Sequence, residues 1–204
     1  MYPWVTEPQD VNGDLYPARA PKTEIYKLII SDLEKAIQFL PTKQQYGDSD
    51  KGRASKGAAI GALAKVYLTL GQWQKVVDLT TQLEGMGYAL NTDYSDNFNI
   101  NKENSVESLF EVQYASDGGY DFWSNENQSS WTSTFMGPRG ANFVGGGWGW
   151  NQPTQEFVNS YEAGDKRKEK TIFYEGCPDY DGKEYKANYS LTGYNVKKFL
   201  VPLS

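Results

Sequence analysis

The sequence predicts a mainly α fold, in which irregular helical hairpins pack against a loop-rich region with a few short strands. Three observations predict it. Apolar residues recur at three- and four-residue steps in three stretches between residues 23 and 84. Only Gly71-Gln72 separates the second stretch from the third, which forces antiparallel neighbours. From Gly118 onward the composition turns to glycine, tryptophan and neutral polar residues, a mixture that suits loops. Two parts follow: a helical part over 1–115 and an aromatic, loop-rich part over 116–204.

Residues 1–22 hold Pro3, Pro8, Pro17 and Pro21 with little periodicity, and read as a surface loop. Thr23 offers an N-cap oxygen, and Glu24 suits the positive end of a helix dipole. Ile25, Leu28, Ile29, Leu33, Ala36, Ile37 and Leu40 then form one apolar stripe, so a helix is expected over 23–40, stopped by Pro41. Residues 42–53 are polar and read as a loop. A second helix is expected over 55–70. Gly57, Ala58, Ala59, Gly61, Ala62 and Ala64 keep one side of it small enough for a neighbouring helix to come close. Gly71 suits the left-handed position just past a helix end. Trp73, Val76, Val77, Leu79, Thr80 and Leu83 mark a third helix over 73–84.

Ala64, Tyr67, Gly71, Trp73 and Val76 sit at the spacing of a tetratricopeptide hairpin, with Trp and Val at positions usually Tyr and Ala. Ala64 permits close approach, Gly71 makes the turn, and Tyr67 and Trp73 are expected in the core at the hairpin corner. An ordinary helical hairpin accounts for the spacing equally well, and no clean second copy follows. Ser108 to Tyr114 alternates apolar and polar residues and is expected to be a short strand. Pro153 and Thr154 open a short helix carrying Phe157, Val158 and Tyr161. Asp165 and Arg167 are expected to close a local turn or ion pair. Residues 171–174 and 194–201 read as irregular strands.

Composition removes whole classes of function. Lys plus Arg number 20 against 26 Asp plus Glu, a formal charge of −6, which is unsuited to a nucleic-acid backbone. The chain contains no His, so His-dependent triads, His-ligated zinc and His pH switches are excluded. Cys177 is alone and forms neither an intrachain disulfide nor a multi-cysteine metal site. No cofactor is expected. No apolar run approaches the ~20 residues of a membrane span. Gly145-Gly146-Gly147 lacks the Gly-Lys-Ser/Thr of a phosphate loop.

Aromatic residues make up 15% of the chain although mean hydropathy is −0.66, so some rings are expected on the surface beside polar groups. Residues 118–150 concentrate the signal: Trp123, Trp131, Trp148 and Trp150 lie among glycines and a run of Asn, Gln, Ser and Thr. Stiff rings stack on the C–H face of a sugar, while amides and Arg bond its hydroxyl rim. On local composition, Tyr120, Trp123, Trp131 and Arg139 are the candidate glycan-binding residues; Trp123 and Trp131 suit binding or packing alike. Trp148 and Trp150, directly before Pro153, are expected to pack under the helix at 154–161. A glycosidase would need two placed carboxylates. Asp117, Asp121, Glu126 and Glu156 are the nearest candidates, with nothing in the sequence to fix their separation.

Four ordered segments resemble the SusD/RagB family of glycan-binding lipoproteins of the Bacteroidetes surface. They are Tyr26 to Pro41, Lys56 to Trp73, Glu107 to Tyr114, and Pro153 to Arg167. The resemblance implies irregular tetratricopeptide-like helix pairs and capture of oligosaccharide for a SusC-like TonB-dependent transporter, without catalysis. It also implies an outer-membrane, surface-exposed parent held by a lipidated N-terminal Cys. On that reading this chain is the central part of a longer protein, soluble by itself, and Cys177 lies too late to be the anchor. The competing class is a protein-interaction scaffold that uses the hairpins and binds no sugar.

Overall fold

The computed structural model describes residues 5–8, 10–13, 15–114, 131–141 and 147–200. They fall into two compact units. The first comprises residues 1–89 with 106–111, and the second residues 90–105 with 112–204.

The first unit is built on three helices. α1 spans Lys22–Phe39, α2 Lys56–Thr69 and α3 Trp73–Glu84. The helix α1 starts one residue before the expected Thr23 cap. The Pro21 carbonyl accepts from the amides of Glu24 (3.1 Å) and Ile25 (3.3 Å), with no side-chain cap. Pro41 ends it as expected: Leu40 is extended, at φ −74° and ψ 141°, because a following proline disfavours helical geometry. The apolar stripe from Ile25 to Leu40 is half-buried throughout.

Helix α2 forms the core of the unit. Ser55 caps it by accepting from the Ala58 amide at 3.3 Å. Gly57, Ala59, Ile60, Leu63, Ala64 and Tyr67 are all buried. The small face has a specific use. A Cβ on Gly57 would come within 2.5 Å of the Tyr88 ring edge, and one on Gly61 within 2.7 Å of Leu109 Cδ1. The close neighbours at these two glycines are therefore side chains of the segments after α3, not the helix that the sequence led one to expect.

The α2–α3 turn is as anticipated. Gly71 has φ +69°, Gln72 N–H donates to Tyr67 O at 2.9 Å, and Gly71 N–H donates to Leu68 O at 3.1 Å. This paired closure satisfies the last carbonyls of α2. A Cβ at Gly71 would meet nothing within 4 Å, so only the backbone opposes substitution. Gly71→Ala is expected to lower stability by about 1–3 kcal/mol in a urea titration.

Trp73 departs from expectation. It is 65% exposed, whereas Tyr67 is 5% exposed and fills the corner with Lys75 Nζ 4.4 Å above its ring. Trp73 is the first residue of α3, directly after the tight turn, and its side chain points outward. On α3 only Val76, Leu79 and Leu83 turn inward to half-buried positions, leaving Trp73, Val77 and Thr80 on the open side.

The expected strand at 108–114 does not form. The segment carries no ladder among the described residues, and Phe110, Val112 and Tyr114 are 55%, 67% and 56% exposed. Alternation set the two faces, with Leu109 against Gly61 on the inner one, but a strand also needs a partner for its backbone groups.

The second unit holds short elements around an aromatic core. They are α4 (Thr132–Met136), α5 (Gln155–Asn159), α6 (Arg167–Thr171), β1 (Ile172–Phe173) and β2 (Asn195–Val196). The strands pair antiparallel, with Ile172 opposite Val196, so the two expected irregular strands come down to a two-residue ladder. Phe173 stacks on Tyr185 at 5.2 Å and 6°, with Ala141, Cys177 and Leu200 in the same cluster. The Tyr185 hydroxyl donates to Asn195 Oδ1 at 2.9 Å. Thr154 caps α5 by accepting from the Phe157 amide at 3.3 Å. The Asp165–Arg167 pair forms as expected, at 2.6 Å. No helix among the described residues is long and apolar enough to cross a membrane.

Candidate functional site: an exposed aromatic platform

Segment 147–150 runs beside α4. Trp148 N–H donates to Thr134 O (2.9 Å), Gly149 N–H to Gly137 O (2.8 Å), and Trp150 N–H to Phe135 O (2.8 Å). Two glycines make this approach possible. A Cβ at Gly147 would lie 2.5 Å from Pro138 O, and Gly149 has φ +69°. Gln152 Nε2 further holds Gly149 O at 3.0 Å, while Gln152 Oε1 accepts from the Leu191 amide at 3.0 Å.

The rings assemble on Phe135. Trp150 stacks on it at 4.8 Å and 11°, and Trp148 meets it edge-on at 5.1 Å and 61°. Trp148 and Trp150 touch each other at 5.4 Å and 70°. Trp131 completes the cluster, 6.5 Å from Phe135. Trp148 remains 42% exposed and Trp150 53% exposed. Both indoles are thus braced by Phe135 and keep part of their surface exposed, so ring area is available at low ordering cost. Arg139 is exposed, and its Cβ lies 3.4 Å from a Cβ built on Gly149, the residue between the two indoles in sequence.

Of the four candidate residues, Trp131 and Arg139 are described and Tyr120 and Trp123 lie outside the described residues. Trp131 is half-buried. Trp148 and Trp150 correct the sequence reading: they pack on α4's Phe135 and stay exposed. The signal was available in Gly147-Trp148-Gly149-Trp150. A glycine before each Trp lets the backbone press against α4, and the rings are then left at the surface.

Glu156 is the one glycosidase candidate among the described residues; Asp117, Asp121 and Glu126 lie outside them. It sits in the first turn of α5, where its own backbone amide and the Thr154 hydroxyl hold its carboxyl below the usual range. A general acid needs the opposite shift. No cluster of three or more metal-ligating side chains occurs among the described residues.

The described residues thus combine a helical-hairpin unit with a loop-rich unit that carries an exposed aromatic platform. Comparison with known proteins finds relatives in sequence and in fold. The family pattern described as "Starch-binding associating with outer membrane" matches residues 2–68. A SusD-like protein of Bacteroides ovatus is 35% identical over 103 residues, covering 45% of this chain and 18% of that protein. A SusD-like protein of Formosa agariphila is 27% identical over 161 residues, covering 74% of this chain and 30% of that protein. Among solved structures, a laminarin-binding SusD-like protein superposes with TM-score 0.82 at 27% identity, over 99% of this chain and 47% of that one. A surface glycan-binding protein A of Bacteroides thetaiotaomicron, solved with laminarihexaose, shares the fold at TM-score 0.71 and 20% identity, over 88% of this chain and 42% of that one. The chain is therefore similar in sequence and in fold to SusD-like proteins. It spans less than half the length of each of these relatives.

Proposed function

We propose that this chain contributes a glycan-binding surface to a non-catalytic SusD-like protein that captures oligosaccharide at the cell surface. The observation that carries this reading is the pair of braced, exposed indoles, Trp148 and Trp150, with the backbone of the exposed Arg139 beside Gly149. A pyranose offers an apolar face to such rings and hydroxyls to the guanidinium. Trp131, 6.5 Å from Phe135, belongs to the same cluster, and Tyr120 and Trp123 remain proposed binding residues on composition alone. The likeness to a laminarin-binding protein makes β-glucan oligosaccharide the first ligand to test. Delivery to a SusC-like TonB-dependent transporter, and residence at the outer membrane through a lipid anchor on the parent protein, belong to the same proposal.

Isothermal titration with laminarihexaose, and with a panel of plant and host glycans, tests the reading. Saturable binding of at least one glycan, with no reducing sugar released, is the expected result. Binding of none, with retained binding of a transporter partner, supports the scaffold class instead.

A further inference from the structure

The second unit contains a half-open cleft of about 740 Å³, bordered by residues from 95–101, 169–170, 178–180 and 197–200. None of Trp148, Trp150 and Arg139 lines it. Its volume lies within the ~300–1,000 Å³ typical of small-ligand sites. The wall is chemically mixed. Asn99, Asn101 and Asp179 are exposed, and Tyr180, Lys197 and Lys198 are half-buried.

One wall of the cleft is held rigidly. Asp93 Oδ1 accepts from Ser95 N–H (2.9 Å) and from the Ser95 hydroxyl (2.7 Å), and Lys170 approaches Asp93 at 3.5 Å. These bonds hold the Asp93 carboxyl at about 2, so it remains ionised near neutral pH. Lys102 pairs with Asp96 at 2.8 Å, and Asn99 Oδ1 accepts from the Asn101 amide at 2.9 Å. Phe98 meets Tyr94 and Phe199 edge-on at 5.3 and 5.7 Å. Lys198 Nζ stands 4.9 Å from the Phe98 ring centre and 4.8 Å from that of Phe199. Lys197 Nζ donates to Pro178 O at 3.1 Å.

The wall carries charges of both signs: Lys170, Lys197 and Lys198 against Glu169 and Asp179. An anion drawn to the lysines meets two carboxylates, and a cation meets three ammonium groups. A polyol suits both, because each hydroxyl accepts from an ammonium or amide and donates to a carboxylate, in charge-assisted bonds. The geometry points to this cleft as a second carbohydrate subsite, taking a neutral sugar ring by hydrogen bonding, apart from the stacking platform. The assignment rests on the glycan-binding reading above and adds a separate location and a charge preference.

The test is amide chemical-shift mapping of the isotope-labelled chain. It is titrated with glucose, galactose, mannose and xylose, and with glucuronate at matched ionic strength. At least one neutral sugar is expected to shift the amides of 95–101 and 197–200 saturably, and to bind more tightly than glucuronate. Asn101→Ala is expected to weaken that binding about fivefold, and Trp148→Ala/Trp150→Ala to leave it intact. The proposal is overturned if no neutral sugar shifts these amides, if glucuronate binds more tightly, or if both Asn101→Ala and Asp179→Asn bind as the parent does. Laminarihexaose and the glycan panel, run in parallel, separate the two readings. Shifts at 148–150 with none in the cleft overturn the cleft alone; shifts nowhere overturn both.

Discussion

Phe173→Ala is expected to destabilise the second unit by ~3–5 kcal/mol, the range for truncating a buried aromatic. Phe173 is 0% exposed. It stacks on Tyr185, takes the edge of Tyr180 at 5.7 Å and 86°, and lies under Lys197 Nζ at 5.3 Å. Its backbone also belongs to the two-residue β ladder, so loss of its packing loosens the only strand pair named among the described residues. Little else can compensate, because no helix among this unit's described residues is longer than five residues. Phe173→Leu retains most of the volume and is expected to cost less than about 1.5 kcal/mol. Urea denaturation of both variants measures the difference. A cost under about 1 kcal/mol for the alanine variant would show that the cluster around Tyr185 does not hold this unit together.

Gly57→Leu is expected to cost ~3 kcal/mol, at the upper end for overpacking a close-packed site. The added Cβ alone would lie 2.6 Å from Tyr88 Cζ. Tyr88 has no easy retreat: its hydroxyl is 3.3 Å from Ser55 Oγ, the oxygen that caps α2, and Lys43 Nζ stands 6.0 Å from its ring centre. The cap and the packing therefore fail together. Removing the ring with Tyr88→Ala relieves the overlap, so the double variant is expected to be more stable than Gly57→Leu alone. Such non-additivity marks a direct contact. Simple addition of the two single costs would place Tyr88 elsewhere.

The helical unit was largely legible in the sequence because local rules and tertiary packing agree there. Apolar spacing marked α1, α2 and α3 to within a residue or two, and Gly71 adopts the left-handed geometry that a two-residue link demands. Trp73 was misread because a repeat pattern gives a position, not the direction in which the first side chain after a tight turn projects. The 108–114 segment was misread because alternation reports two faces but not whether a partner strand exists. In the second unit, elements of two to five residues carry too little periodicity to be read, and burial is set by contacts distant in sequence, such as Phe173 with Tyr185. The platform was legible as a composition but not as a geometry. Trp148 and Trp150 were assigned inward by proximity to Pro153, whereas Gly147 and Gly149 place them on α4.

The most direct test of the proposed glycan-binding surface is a paired measurement of affinity and stability on Trp148→Ala and Trp150→Ala. The ligand is the glycan that binds best in the panel, beginning with laminarihexaose. Braced, open rings that stack on sugar predict at least about a tenfold loss of affinity in each variant, with stability reduced by only about 1 kcal/mol through lost contact with Phe135. Unchanged affinity in both variants, or unfolding of both at the ~3–5 kcal/mol cost of a core tryptophan, would contradict it.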